Sequence, residues 1–139
     1  MENIKFIDGG VCAATGFTAS GYHCGIKAGR EKNDTALIYS EKLCNAAGVF
    51  TSNRVKAESV KYTQKVIAKG KAQAAIVNVG YANACTGEEG AKVAKTMADV
   101  TAKTMGINAD QVIVCSTGII GQQVPVEKIV SNIENIKAG

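Results

Sequence analysis

The sequence reads as an α/β fold, and three features carry that reading. Its second half alternates helical and extended patterns, its first third is β-like, and fifteen glycines against one proline mark tight turns between short elements. A length of 139 residues suits one domain. Residues 1–139 are taken as a single partial domain, because the apolar strands and the last helix want further partners and Lys137-Ala138-Gly139 reads as an interruption.

Val11-Cys12-Ala13-Ala14 opens the extended part, followed by Gly16-Phe17-Thr18-Ala19-Ser20-Gly21 and Cys24-Gly25-Ile26. The polar segment Gly29-Arg30-Glu31-Lys32-Asn33-Asp34 separates these from Thr35-Ala36-Leu37-Ile38-Tyr39-Ser40, which predicts a hairpin with a long turn. Ala46-Ala47-Gly48-Val49-Phe50-Thr51 reads as a further strand. Residues 57–69 are predicted helical, with Val60, Val66 and Ile67 on a loose apolar face and Gly70 placed to end the helix. The apolar run Ala74-Ala75-Ile76-Val77-Asn78-Val79 fits a buried strand.

The next helix is sharper. Val93, Ala94, Met97, Val100, Thr101 and Met105 form one helical stripe, Thr86-Gly87-Glu88-Glu89 has the spacing of a capping box, and Gly106 ends the segment. Gln111-Val112-Ile113-Val114-Cys115 predicts a strand and Ser116-Thr117-Gly118-Ile119-Ile120-Gly121 a turn. Pro125 suits a first helical position, and Val126, Ile129, Val130, Ile133 and Ile136 recur on one helical face behind it.

Composition excludes several classes of function. The net charge of +4 comes from scattered lysines such as Lys56/Lys61, Lys69/Lys71 and Lys92/Lys95 rather than a basic block. With few aromatics beside them, they read as a solvated surface and not as a nucleic-acid site. Five cysteines, an odd count without a CxxC pair, argue against a disulfide framework or a zinc site, and no metal is expected. The start Met1-Glu2-Asn3-Ile4-Lys5 lacks signal-peptide design, and no apolar run approaches the ~20 residues that span a bilayer. A cytoplasmic protein with reduced thiols and no membrane partner is expected.

Two segments are candidates for chemistry. In Asn78-Val79-Gly80-Tyr81-Ala82-Asn83-Ala84-Cys85-Thr86-Gly87, a buried strand runs through small residues into a helix start. Asn78 and Asn83 can serve a ligand there, or merely satisfy turn backbone. In Ser116-Thr117-Gly118, a hydroxyl beside an unhindered glycine N–H is what an oxyanion hole requires. Cys85, just before a helix, reads either as a nucleophile with His23, the sole histidine, as its partner, or as a packing residue.

Taken together, Asn83-Ala84-Cys85-Thr86-Gly87 preceded by Asn78, and Ser116-Thr117-Gly118-Ile119-Ile120-Gly121, closely resemble the bifunctional ornithine/glutamate N-acetyltransferases. Gly10-Val11, Gly16-Phe17, Gly25-Ile26-Lys27 and Ala47-Gly48-Val49-Phe50-Thr51-Ser52-Asn53-Arg54-Val55 agree in order. The resemblance implies sheets sandwiched between helices, an ornithine-acetyltransferase/DmpA-like α/β fold of which this chain is an incomplete part. It implies acetyl transfer from N-acetylornithine to glutamate in arginine biosynthesis, through an acetyl-threonine formed after self-cleavage at an Ala-Thr bond. Thr117 and Gly118 correspond to the family's oxyanion stabilisers, while the cleavage site, and with it the nucleophile, lies downstream of Gly139. No cofactor is implied, acetyl-CoA being at most a second substrate. The implied partner is a β chain cut from the same precursor, in an α2β2 heterotetramer. Val79 and Tyr81 depart from the family's serine and asparagine. A thiol acyltransferase using Cys85, or a non-catalytic assembly module, is the alternative.

Overall fold

The structure, a computed structural model, describes residues 4–27, 29 and 31–136. Met1-Glu2-Asn3, Arg30 of the expected turn and Lys137-Ala138-Gly139 lie outside them.

Strands β1 (Phe17–Tyr22) and β2 (Thr35–Asn45) form the expected antiparallel hairpin, with Phe17 opposite Ser40 and Tyr22 opposite Thr35. Helix α1 (Glu58–Ile67) leads into β3 (Lys71–Tyr81), which pairs antiparallel with β2. Helix α2 (Gly87–Met105) then crosses over to β4 (Val112–Ile119), parallel to β3, and α3 (Val126–Ile136) follows. The strands lie in the order β1-β2-β3-β4 within one four-stranded sheet. The α/β class therefore holds, and β3-α2-β4 is the crossover that a parallel pair requires.

Alternation along the strands decides what is inside. Leu37 of β2, Ala74 and Ile76 of β3, and Val112 and Val114 of β4 share one buried face of the sheet. Against it α2 packs Val93, Ala94, Met97 and Ala98, and α3 packs Ile129, Ile133 and Ile136. Leu37, Ile76, Met97, Ile129 and Ile136 are fully buried, each contributing about 1.5–3 kcal/mol. Ala19, Ile38, Ala75 and Ile113 form a row across the opposite face and remain half-exposed. None of the described helices is long and apolar enough to cross a membrane.

Helix α1 guards the outer edge of β4. Thr63 Oγ1 donates to the Val114 carbonyl at 2.8 Å and accepts the Val114 N–H at 3.1 Å, so one buried hydroxyl stands in for a neighbouring strand. The lysines behave as a solvated surface: Lys61 pairs with Glu58, Lys69 with Asp110, Lys92 with Glu89 and Lys95 with Asp99.

Several segments depart from expectation, each for a local reason. Val11–Ala14 is not extended, because Gly9 and Gly10 both take left-handed φ (108° and 54°) and coil Gly10–Ala13 into a 3-10 turn. Cys24-Gly25-Ile26 is a loop whose N–H groups bond to Asp34 instead of a strand. Ala46–Thr51 forms no strand: Ala46 N–H to the Gly70 carbonyl is its ladder-like contact, and Val49 is completely exposed. Just beyond, the Thr51 and Asn53 side chains take backbone N–H groups that a ladder would otherwise claim. Finally, β4 continues to Ile119, so Ser116-Thr117-Gly118 lies on a strand end rather than in a turn.

Candidate active site

Strands β3 and β4 end side by side, in the register Asn78–Ser116, Val79–Thr117, Gly80–Gly118 and Tyr81–Ile119. The facing glycines are what let them do so. Gly80 and Gly118 have φ of 132° and 135°, a region closed to most side chains. A Cβ on Gly118 would lie 2.2 Å from the Gly80 carbonyl carbon and 2.6 Å from the Tyr81 nitrogen. A Cβ on Gly80 would press Ile26 Cγ2 at 3.2 Å.

Around this pair opens a cleft of about 450 Å³. Val79, Gly80 and Tyr81 line one part, Thr117, Gly118 and Ile119 a second, and the loop residues Ile26 and Lys27 a third. Thr117 and Gly118 are therefore brought to the same cavity, and both are exposed. The Ile119 carbonyl accepts the Ala82 N–H at 2.9 Å, so Ile119 faces β3, whereas Val114 faces Thr63 on the other edge. Strand alternation sends Gly118 the same way as Val114, which leaves its N–H outside the β3 ladder. The Thr117 hydroxyl makes no hydrogen bond among the described residues. Adjacent, unspent donors of this kind can receive a developing oxyanion.

Beneath the cleft Asn78 is fully buried and donates Nδ2–H to the Tyr81 carbonyl at 3.0 Å. Its Oδ1 and the cross-strand Ser116 Oγ are buried without a hydrogen-bond partner among the described residues.

Asn83 turns inward. Its amide donates to the Gly90 carbonyl at 2.9 Å and its Oδ1 accepts the Thr86 hydroxyl at 2.8 Å, while its own carbonyl takes the Glu58 N–H. Of its two readings, the turn-building one holds. The same bond undoes the expected capping box, because Thr86 spends its hydroxyl on Asn83 and makes no cap to α2. Gly90 is required there, since a Cβ would fall 1.9 Å from Thr86 Oγ1. Asn83 and Cys85 both hold left-handed φ (49° and 57°), a strain of about 1–3 kcal/mol each that the surrounding bonds sustain.

Cys85 is exposed on this turn. His23 is not its partner: Nδ1 lies 3.0 Å from the Lys32 carbonyl and 3.5 Å from Asp34. Cys24 is a packing thiol, pushed up from its ordinary pKa by burial and then by the Asp34 charge, against a lowering hydrogen bond with Thr35. Among the described residues no three His, Cys, Asp or Glu side chains gather as a metal ion would need.

Sequence reasoning passed over Asp34, which it placed only in a polar turn, and Lys27, which it quoted without a role. A lone acid at a strand start gives no periodic signal; only the folded loop reveals what it holds.

A profile described as the ArgJ family matches residues 18–139, most of the chain. The chain belongs to the ArgJ family. It is 50% identical over 131 residues to the arginine biosynthesis bifunctional protein ArgJ of Caldanaerobacter subterraneus subsp. tengcongensis, covering 94% of this chain and 32% of that protein. To the ArgJ protein of Thermotoga neapolitana it is 49% identical over 121 residues, covering 86% of this chain and 30% of that protein. The chain thus spans about a third of the length of the curated relatives it matches. Among ArgJ structures, that of the Bacillus halodurans protein superposes with a TM-score of 0.87 at 44% identity, covering 94% of this chain and 68% of that one. Ornithine acetyltransferase of Mycobacterium tuberculosis, solved in complex with ornithine, also gives 0.87, at 41% identity over 91% of this chain and 68% of that one.

Proposed function

We propose that this chain supplies the oxyanion hole of an N-acetyltransferase that moves acetyl from N-acetylornithine to glutamate in arginine biosynthesis. The observation that carries the reading is the placement of Thr117 and Gly118 as neighbours on one cleft, with the Gly118 N–H outside the β3 ladder. In this reading the acetyl carbonyl sits where the Thr117 hydroxyl and the Gly118 N–H converge. As the nucleophile adds, negative charge gathers on that oxygen and both donors strengthen their hold. The nucleophile is a threonine freed by self-cleavage of an Ala-Thr bond in sequence beyond residue 139, its own α-amino group acting as base. An acetyl-threonine forms, ornithine leaves, and glutamate takes the acetyl group in the reverse of the first step. The β chain made by that cleavage completes the pocket in an α2β2 heterotetramer, working in the cytoplasm without a resident cofactor. Acetyl-CoA is a possible second donor.

The test is to express the chain together with the remaining two thirds of a relative-length sequence and assay transfer from N-acetylornithine to glutamate. Thr117→Ala should cut kcat by roughly 10²–10³-fold. Full activity in that variant sinks the assignment of Thr117.

A further inference from the structure

Asp34 is 2% exposed, and its carboxylate serves one loop. Oδ1 accepts the Cys24 N–H at 2.8 Å, and Oδ2 accepts the N–H groups of Ile26 at 2.7 Å and Lys27 at 3.2 Å. The Thr35 hydroxyl adds a longer bond at 3.4 Å, and His23 Nδ1 stands 3.5 Å away. Its backbone carbonyl meanwhile accepts the Val79 N–H at 2.8 Å, on the part of the cleft formed by β3. A carboxylate withdrawn from water is costly unless its lone pairs are met, and here they are met by the segment that closes the third side of the cleft. Gly80 completes the fit by leaving room for Ile26.

This pinning fixes the backbone of Lys27 at the cavity. Lys27 is the one charged residue among the described residues that line the cleft, and it makes no ion pair among them. The remaining lining is apolar or backbone apart from Tyr81 and Thr117. An unneutralised ammonium in such a setting favours an anionic group on whatever occupies the cleft.

Building on the acetyl-transfer reading, we propose that Lys27 binds the carboxylate of the amino-acid substrate and that Asp34 is the positioning residue that presents it. The acetyl oxygen is held by Thr117 and Gly118 on β4, and the α-carboxylate by the loop across the cleft. Substrate is thereby gripped at both ends, and its affinity for the cleft depends on the loop.

The test uses the full-length enzyme with Lys27→Met, Lys27→Arg, Asp34→Asn and the Lys27→Met/Asp34→Asn double variant, assayed on N-acetylornithine and on its carboxamide. Lys27→Met should raise KM for the acid roughly 10–100-fold with little change in kcat, and abolish the preference for acid over amide. Lys27→Arg should retain most of that preference. Asp34→Asn should raise KM in the same direction but add little to Lys27→Met, because both act through one contact. An unchanged KM and acid–amide preference in Lys27→Met overturns the proposal, and full additivity overturns the positioning role of Asp34. Calorimetric titration with ornithine reads Lys27 without turnover, and unchanged affinity in Lys27→Met again overturns the proposal. If the unmodified enzyme binds ornithine in a Lys27-dependent way but transfers no acetyl group, the acetyl-transfer reading falls and the carboxylate site stands.

Discussion

Thr117 and Gly118 are neighbours that should fail in different ways. Thr117 is exposed and its hydroxyl makes no hydrogen bond among the described residues, so Thr117→Ala should leave stability within about 0.5 kcal/mol while cutting kcat sharply. Gly118→Ala pushes a Cβ into the Gly80–Tyr81 peptide at a φ that disfavours any side chain, and should destabilise by about 2 kcal/mol or more. Urea melts of the two variants check this, and equal stability would mean the strands are not held as closely as described. Cys85 makes a third case. Its left-handed φ of 57° favours glycine, so Cys85→Gly should raise stability by up to about 1 kcal/mol and keep acetyl transfer. Loss of transfer with the fold intact would instead revive a thiol mechanism.

Elements were legible where periodicity was long and illegible where one side chain decided the matter. Strand β3 and helices α2 and α3 stand where their apolar spacing puts them, because each buries a continuous face. Helix α1 forms where expected but buries Ser59, Thr63 and Val66 and leaves Val60 and Ile67 half-buried. The Val11–Ala14 and Ala46–Thr51 segments have β-like composition but pair with no strand among the described residues, and composition is silent about pairing. Thr86 and Glu89 have the spacing of a cap, yet Asn83, three residues upstream of Thr86 and fully buried, claims the hydroxyl first. Of the site, Thr117 and Gly118 could be found through family resemblance, whereas the loop held by Asp34 depends on contacts between residues 24 and 34 that no pattern encodes. The link between α1 and β4 is similarly hidden. Thr63 covers both backbone groups of Val114, so Thr63→Val keeps the shape but leaves a buried N–H and carbonyl unmet. A loss of about 1–3 kcal/mol is expected, with Thr63→Ser retaining most of the stability. Chemical denaturation with an unchanged m-value is the readout, and a Thr63→Val melt matching the parent would show that the edge needs no such latch.

At the scale of the molecule the sheet is lopsided, with one face sealed by α2 and α3 and the other row, through Ala19, Ile38, Ala75 and Ile113, half-open. Ile119 and Ile120 extend apolar exposure beside the cleft, at 53% and 65%. An uncovered apolar sheet face of this kind favours association, since monomers rarely leave large contiguous patches in water. The 139-residue chain expressed alone should therefore self-associate with rising concentration and bind a hydrophobic dye. Replacing Val77, which lies on the open face opposite Ala36 and beside Cys115, with lysine should reduce both without melting the core. Co-expression with the remaining sequence should abolish dye binding, because the face would then be covered. Light scattering across a hundredfold range of concentration decides the point. A chain that stays monomeric and dye-free by itself would mean that the half-open row is already satisfied within these residues.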